Sequence, residues 1–223
     1  MNDKSFCAIV LARGGSKGIK NKNIVKVNRK PLIYYCLNAA NKSKYLDKIF
    51  VSTDSEIIKS NVLSLDLKKV AVISRSKKNS QDFSSSEDAL LELIQNIDYE
   101  NIFFMQATNI FINKNIIDTA IFKFINSKYD SILSAIEGKN FAWVKHSNKF
   151  VPINYNIKIR PRRQLKKKKF YIENGAFYIF SKKGFIKNKN RLFGKIGIYE
   201  MSQMSYFDID DYEDLKIVKK LLK

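Results

Sequence analysis

The chain has 223 residues, 45% of them hydrophobic, which is enough to bury a full core and argues for one domain with a modest appendage rather than a long disordered protein. Its formal charge of +20 attracts polyanions, but lysines and asparagines are scattered through every surface segment and only residues 160–169 form a dense basic block. A solvated basic surface suited to a polyanionic small molecule is therefore expected, with no specific nucleic-acid partner.

No apolar run approaches the length of a membrane span, and the run at residues 6–11 is too short, and too soon followed by Arg13, to be a signal peptide. A cytoplasmic protein with no membrane partner is expected. Cys7 and Cys36 lack the spacing of a metal or redox motif and are expected to be reduced and buried.

The first strand is expected at residues 6–11, and the loop that leaves it, Ala12-Arg13-Gly14-Gly15-Ser16-Lys17-Gly18-Ile19, carries three glycines and two cations. Such a loop can turn backbone N–H groups toward phosphate oxygens while Arg13 and Lys17 neutralise charge. It fits neither GxGxxG nor GxxxxGK[ST], so a nucleotide-binding loop and a plain glycine-rich turn both stay open. Pro31, placed at the first helical position, opens a helix through Asn41 with Leu32, Tyr35, Cys36 and Ala39 on its apolar face. A second strand at residues 48–54 and a helix at 55–64 follow, and this alternation predicts a mostly parallel sheet covered on both faces.

A third strand is expected at residues 70–74, then a polar surface loop over 75–86 with no hydrophobic period, in which Ser85 or Ser86 caps a helix beginning near Glu87. The fourth strand, 101–105, ends in Gln106-Ala107-Thr108-Asn109. Three successive strands thus deliver polar residues at their C-terminal ends, where open α/β sheets bind ligands. A helix at 115–127 and a strand at 130–136 come next. From residue 137 the rhythm changes to a hairpin or short irregular strands around Phe141, Trp143, Phe150 and Pro152, an insert placed to cover a pocket or form a subunit interface. His146, the one histidine, reads as a surface residue rather than a metal ligand.

Strand character returns at residues 171–180, with Asn174-Gly175 as a local turn or close-approach point, and a short strand is expected over 194–201. A terminal helix spans 212–222. Just before it, Asp208 and Asp210 are two residues apart, so in an extended segment both carboxylates point to one side and Ile209 to the other. They suit Mg²⁺ completed by phosphate oxygens, and equally an acidic helix N-terminus.

Together these features describe a nucleotidyl transferase: Arg13 and Lys17 hold the leaving phosphates, and Asp208 and Asp210 hold a metal that draws charge from the α-phosphate. The residues resemble the CMP-sialic acid synthetases, or acylneuraminate cytidylyltransferases, over nearly the whole chain. The resemblance is carried by residues 12–23, by Val51-Ser52-Thr53-Asp54, and by Arg75 with Asp82, Ser85 and Ser86. Arg163-Gln164, Glu173-Asn174-Gly175-Ala176-Phe177-Tyr178, and Asp208-Ile209-Asp210 with Asp214-Leu215 complete it in the same order.

It implies a doubly wound, Rossmann-like α/β core over residues 1–136 and 171–223, a dimerisation and acceptor-site insert over 137–170, and a homodimer. The implied reaction transfers CMP from CTP to the anomeric hydroxyl of a nonulosonic acid. Leu11, Ala12, Arg13, Gly14, Gly15, Lys17, Lys22, Asn23, Arg75, Ser84 and Ser85 would bind the nucleotide. Gln106, Arg163, Gln164, Asn174 and Tyr178 would face the acceptor sugar. Arg13, Lys22, Asp208 and Asp210 would be catalytic, the two aspartates holding Mg²⁺ or alternatively Mn²⁺. An Arg fork suits the acceptor carboxylate.

Two departures bear on specificity. Ser76 and Asn79 replace a Pro and an apolar residue usual in the base segment, and Gln106-Ala107-Thr108-Asn109-Ile110 replaces the usual Gln-Pro-Thr-Ser-Pro. The acceptor is therefore expected to be an N-acylneuraminate or a close relative such as legionaminic acid, with a pseudaminic or Kdo-like acid as the enzyme alternative and a non-catalytic basic binding protein as a different class.

Overall fold

A computed structural model describes residues 5–16, 18–81, 83–160, 162 and 169–221. The central sheet has seven strands, whose ranges in chain order are β1 (Phe6–Leu11), β4 (Lys48–Thr53), β5 (Val70–Ser74), β6 (Asn101–Met105), β7 (Ser131–Glu137), β10 (Tyr171–Ser181) and β11 (Ile196–Met201). Two short ribbons, β2 (Lys26–Val27) with β3 (Lys30–Pro31) and β8 (Trp143–His146) with β9 (Lys149–Pro152), lie outside it. The order across the main sheet is β11-β7-β10-β6-β1-β4-β5. β1 runs parallel to β4 and β6, β4 to β5, and β7 to β11, while β10 is antiparallel to both β6 and β7. This is the mostly parallel, doubly wound sheet that the alternation of elements predicts.

Alternation of side chains on a fully buried strand feeds two cores at once. Phe6, Ala8 and Val10 of β1 enter a cluster with α1 (Leu32–Asn41), α2 (Glu56–Leu63) and α4 (Lys114–Ile125); Cys7 and Ile9 enter the opposite one with α3 (Ser86–Ile94) and α5 (Lys182–Asn188). Phe103 of β6 and Phe177 of β10 stack with ring centroids 4.8 Å apart, both fully buried, and truncating such a residue costs about 3–5 kcal/mol. Cys7 and Cys36 are free and buried, and burial pushes both thiols up, Cys36 to about 12. Among the described residues no helix is long and apolar enough to cross a membrane.

Most elements fall within a residue or two of their expected ends, with informative exceptions. Pro31 is not the first helical residue: it stands before α1 in extended backbone, φ −63° and ψ 146°, as the last residue of β3. The cause is the tight turn at Asn28 and Arg29, both left-handed, which pairs Lys26 with Pro31 and leaves the Leu32 N–H to donate to Val25 O at 2.9 Å. α5 begins behind Ser181, whose hydroxyl accepts from Gly184 N–H; the two apolar positions Phe185 and Ile186 gave it no sequence period. The insert does form a hairpin, Trp143 pairing Pro152 and His146 pairing Lys149, with Pro152 at the strand end where its missing N–H costs nothing.

A third apolar cluster positions the site. Ile19, Val27, Leu32, Ile110, Ile209, Leu215 and Val218 pack together, joining the first loop to α6 (Tyr212–Leu221) and to the segment before it. Ile209 is fully buried there, so the aspartates on either side of it are held by core packing.

A candidate active-site pocket at the strand ends

Because β1, β4, β5 and β6 are parallel, their C-terminal ends open on one edge, and a cavity of about 570 Å³ lies there. Its wall includes Leu11, Arg13, Lys22, Asn23, Arg75, Ser84, Ser85, Gln106 and Asp210, which brings half of the sequence-selected residues into one place.

The first loop is shaped by its neighbours. Ala12 is buried and its N–H donates to Ser52 O at 2.9 Å, which prolongs the pairing of β1 with β4. Gly14 N–H donates to Asp54 Oδ1 at 2.9 Å, and the buried Asn23 donates from Nδ2 to Arg13 O at 3.1 Å, closing the loop on itself. Gly14 and Gly15 do not line the pocket. Gly18 does, for a plain steric reason: a Cβ there would lie 2.2 Å from Asp210 O, so only glycine lets this loop approach the acidic segment. Across that contact Lys22 Nζ meets Asp210 Oδ1 at 2.8 Å. Lys17 lies outside the described residues.

The loop after β5 forms a second wall. Arg75 donates from Nε to Ser52 Oγ and from Nη2 to Ser52 O, each at 3.2 Å. Burial lowers its pKa, with Asp54 and Glu92 opposing, but a guanidinium starts so high that it stays charged. Ser84 Oγ donates to Lys78 O at 2.7 Å, and Ser85 caps α3, accepting from Asp88 N–H at 3.0 Å while donating to Asp88 Oδ2 at 2.7 Å. Glu92, which sequence reasoning passed over, accepts from Ser76 N–H and Ser76 Oγ at 2.9 Å each and from the Asn79 amide. The two residues that depart from the family pattern are thus the ones this carboxylate holds.

On the remaining side are Phe104, Met105, Gln106, Ala107 and Thr108 from the end of β6. Gln106 is backed by Gly175, φ +65°, where a Cβ would come within 3.3 Å of Nε2. Asn174 and Tyr178 are not on the wall. Asn174 is 8% exposed, and its amide is spent on Ser205. Tyr178 is buried, stacked on Phe104 at 5.9 Å, with its hydroxyl donating to the Glu173 carboxylate; burial first, then Glu173, raises its pKa. The Arg191 guanidinium covers both rings at 4.9 and 4.8 Å and bonds Glu87 Oε1 at 2.6 Å. Neither feature follows from sequence spacing, since Arg191 and Glu87 are 104 residues apart. Arg163, Gln164 and Asp82 lie outside the described residues.

The acidic segment completes the pocket. Asp210 lines it with an exposed side chain, while Asp208 stands behind, its Oδ1 accepting from Ile209 N–H at 3.0 Å. Burial raises the Asp208 pKa and the Asp210 charge adds to this, against the pull of Thr108 and Lys22. The Thr108 hydroxyl is near enough to favour the carboxylate, yet it makes no hydrogen bond of good geometry. Capping of α6 falls to other acids: Asp211 Oδ1 accepts from Glu213 and Asp214 N–H at 2.8 and 2.9 Å, and Asp214 Oδ2 from Asp210 and Asp211 N–H at 3.0 and 3.1 Å. The Asp208 and Asp210 carboxylates are therefore not needed for the helix terminus. Among the described residues no group of three or more His, Cys, Asp or Glu is placed to hold an ion. Two hard oxygen donors fit a Mg²⁺ that takes its other ligands from phosphate and water, as that ion commonly does.

Comparison with known proteins bears on the family and the fold. The family model described as cytidylyltransferase matches residues 7–223. N-acylneuraminate cytidylyltransferase A of Danio rerio is 36% identical over 212 residues, covering 93% of this chain and 48% of the relative. Pseudaminic acid cytidylyltransferase of Campylobacter jejuni is 30% identical over 230 residues, covering 99% of this chain and 97% of the relative. The chain spans about half the length of the N-acylneuraminate relatives from fish. In fold it is similar to a CMP:2-keto-3-deoxy-manno-octonic acid synthetase solved with CTP, at TM-score 0.73 and 15% identity over 98% of each chain. It is equally similar to a 4-diphosphocytidyl-2C-methyl-D-erythritol synthase from Anaerococcus prevotii, at TM-score 0.74 and 15% identity over 99% of each. With its family model matched from the first strand to the C-terminus, the chain belongs to the cytidylyltransferase family.

Proposed function

We propose that the chain transfers CMP from CTP to the anomeric hydroxyl of a nonulosonic acid. The hydroxyl oxygen attacks the α-phosphorus, the bond from that phosphorus to the bridging oxygen breaks, pyrophosphate leaves, and the hydroxyl proton passes to water. The observation that carries this reading is the single pocket in which Arg13, Lys22, Asn23 and Arg75 face Gln106 and Asp210. Arg13 and Lys22 neutralise the triphosphate, and the Arg75 and Ser84–Ser85 wall holds cytidine. Gln106 meets the sugar with Arg163 and Gln164 of the basic segment. Asp208 and Asp210 would hold Mg²⁺, or Mn²⁺ in its place, and such an ion polarises the α-phosphate when bound.

An N-acylneuraminate or a close variant such as legionaminic acid is the first acceptor, supported by the 36% identical relative. Pseudaminic acid is the second, because that relative matches along 97% of its own length. We place the reaction in the cytoplasm and assign residues 137–170 to a homodimer contact. The test is pyrophosphate release from CTP over a panel of nonulosonic acids, with single-stranded RNA titrated in parallel. Acceptor-dependent release is expected; salt-sensitive RNA binding with no CTP-dependent release would overturn the reading.

A further inference from the structure

The segment carrying Asp208 and Asp210 belongs to no strand, yet it is firmly tied at Ser205, which is fully buried. Asn109 Nδ2 donates to Ser205 O at 2.9 Å. Asn174 Nδ2 donates to the same oxygen at 3.2 Å and to Ser205 Oγ at 2.9 Å, and that hydroxyl donates onward to Ser202 O at 2.7 Å. Both side chains are completed on their other end, Asn109 Oδ1 by Phe111 N–H at 3.2 Å and Asn174 Oδ1 by Ala176 N–H at 3.4 Å. At 1% and 8% exposure neither amide is open to a ligand.

What the amides join is more telling than the bonds themselves. Asn109 directly follows the wall residues Gln106, Ala107 and Thr108, and Asn174 precedes Gly175, which backs Gln106. Three residues beyond Ser205 stands Asp208, beside the Thr108 hydroxyl. A fully satisfied buried network of this kind fixes one arrangement and resists small displacements. On the other wall, Arg75 is bonded to Ser52 and Ser85 to Asp88.

We propose that Asn109 and Asn174 are positioning residues which, through Ser205, lock the Asp208–Asp210 segment to the pocket edge around Gln106, so that the acids and the acceptor meet the α-phosphate in fixed register. This rests on the cytidylyltransferase reading of the pocket. Asn109→Asp keeps the shape and the acceptor oxygen but loses the amide donor, and Ser205→Ala removes only the hydroxyl link. For each variant of the full chain, five quantities are measured: amide hydrogen exchange, kcat and KM for pyrophosphate release, the dissociation constant of CMP, and the melting temperature.

In Asn109→Asp, exchange at residues 202–211 rises at least about tenfold while β1 and α3 keep wild-type protection, and kcat falls roughly 10–100-fold with CMP affinity within about twofold. Ser205→Ala shows the same split at about 5–10-fold. A purely stabilising network would instead lower the melting temperature and leave kcat of the folded fraction intact, which overturns the proposal, as does loss of CMP binding in step with kcat. Should Asn109→Asp not fold, Ser205→Ala decides by the same criteria. If the wild-type chain releases no pyrophosphate with any acceptor, the activity reading fails separately; unchanged exchange at 202–211 then overturns the lock, and raised exchange confined there supports it.

Discussion

Arg13 shows how one side chain connects loop shape to chemistry. Its carbonyl is held by Asn23 while the residue lines the pocket with Lys22 and Arg75, so under the proposed function Arg13→Ala would remove charge from the leaving phosphates without disturbing the buried amide that closes the loop. Turnover is expected to fall about 10²-fold with little change in melting temperature. Unchanged steady-state kinetics would reject the assignment. Asp208→Ala and Asp210→Ala separate chemistry from folding in the same way, because Asp211 and Asp214 cap α6 and Ile209 anchors the segment. Both are expected to keep the fold by circular dichroism and some CTP binding while losing pyrophosphate release at every Mg²⁺ concentration; near-normal turnover in both would defeat their role. That Arg13, Lys22, Asn23 and Arg75 share one pocket was legible in the sequence, because charge and glycine content mark polar loops at strand ends locally. Asn174 and Tyr178 were not, because their orientation depends on the bulge between Glu173 and Tyr178, where β10 shifts register against β7, and pattern alone does not place a bulge.

At the scale of elements, α3 and the loop before it act as one unit, since Glu92 on the second turn of α3 reaches back to Ser76 and Asn79. Their hydroxyl and amide thus tie the loop to the helix, a link that neither position reveals until the helix is seen beside the loop. Glu92→Gln is expected to leave kcat nearly unchanged and to raise KM for CTP about 5–10-fold, because binding must then order the loop that carries Gln81, Ser84 and Ser85. The pH dependence has a definite sign. Burial alone would raise the Glu92 pKa, but Asn79, the two Ser76 donors and the Arg75 charge together hold it below the usual glutamate value. A depressed carboxyl stabilises the fold above its unfolded pKa and loses that contribution as pH falls through the folded one. Wild type should therefore exceed Glu92→Gln by about 1 kcal/mol near pH 7, and the gap should close below the ordinary glutamate range. Denaturant melts at several pH values measure this, and a gap that persists in acid would contradict it.

Over the whole molecule, the alternation of elements made the parallel part of the sheet legible, but not that β10 runs antiparallel between β6 and β7. Strand direction follows from where the chain re-enters after the insert, and the insert's path is not written in its periodicity. That path also leaves an apolar surface. Phe150, Ile153, Ile157 and Ile159 are 64%, 53%, 59% and 71% exposed, and Trp143 is half exposed although it packs on Tyr155 at 5.9 Å. So many large apolar groups on one short segment are costly in water and suit an interaction surface. A C₂ partner would cover them with its own copy of the hairpin and bring the basic segment near a neighbouring pocket, in keeping with the homodimer proposed above. Sedimentation should therefore give twice the 25.9 kDa chain mass at micromolar concentration. Phe150→Glu, changing a ring that is 64% exposed with Lys145 over it at 5.9 Å, should shift the protein toward monomer with its far-ultraviolet spectrum intact. Pyrophosphate release by the variant should fall about tenfold or more at dilutions where it is monomeric and recover as concentration drives assembly. A wild-type chain that sediments as a fully active monomer at all concentrations would rule the dimer out.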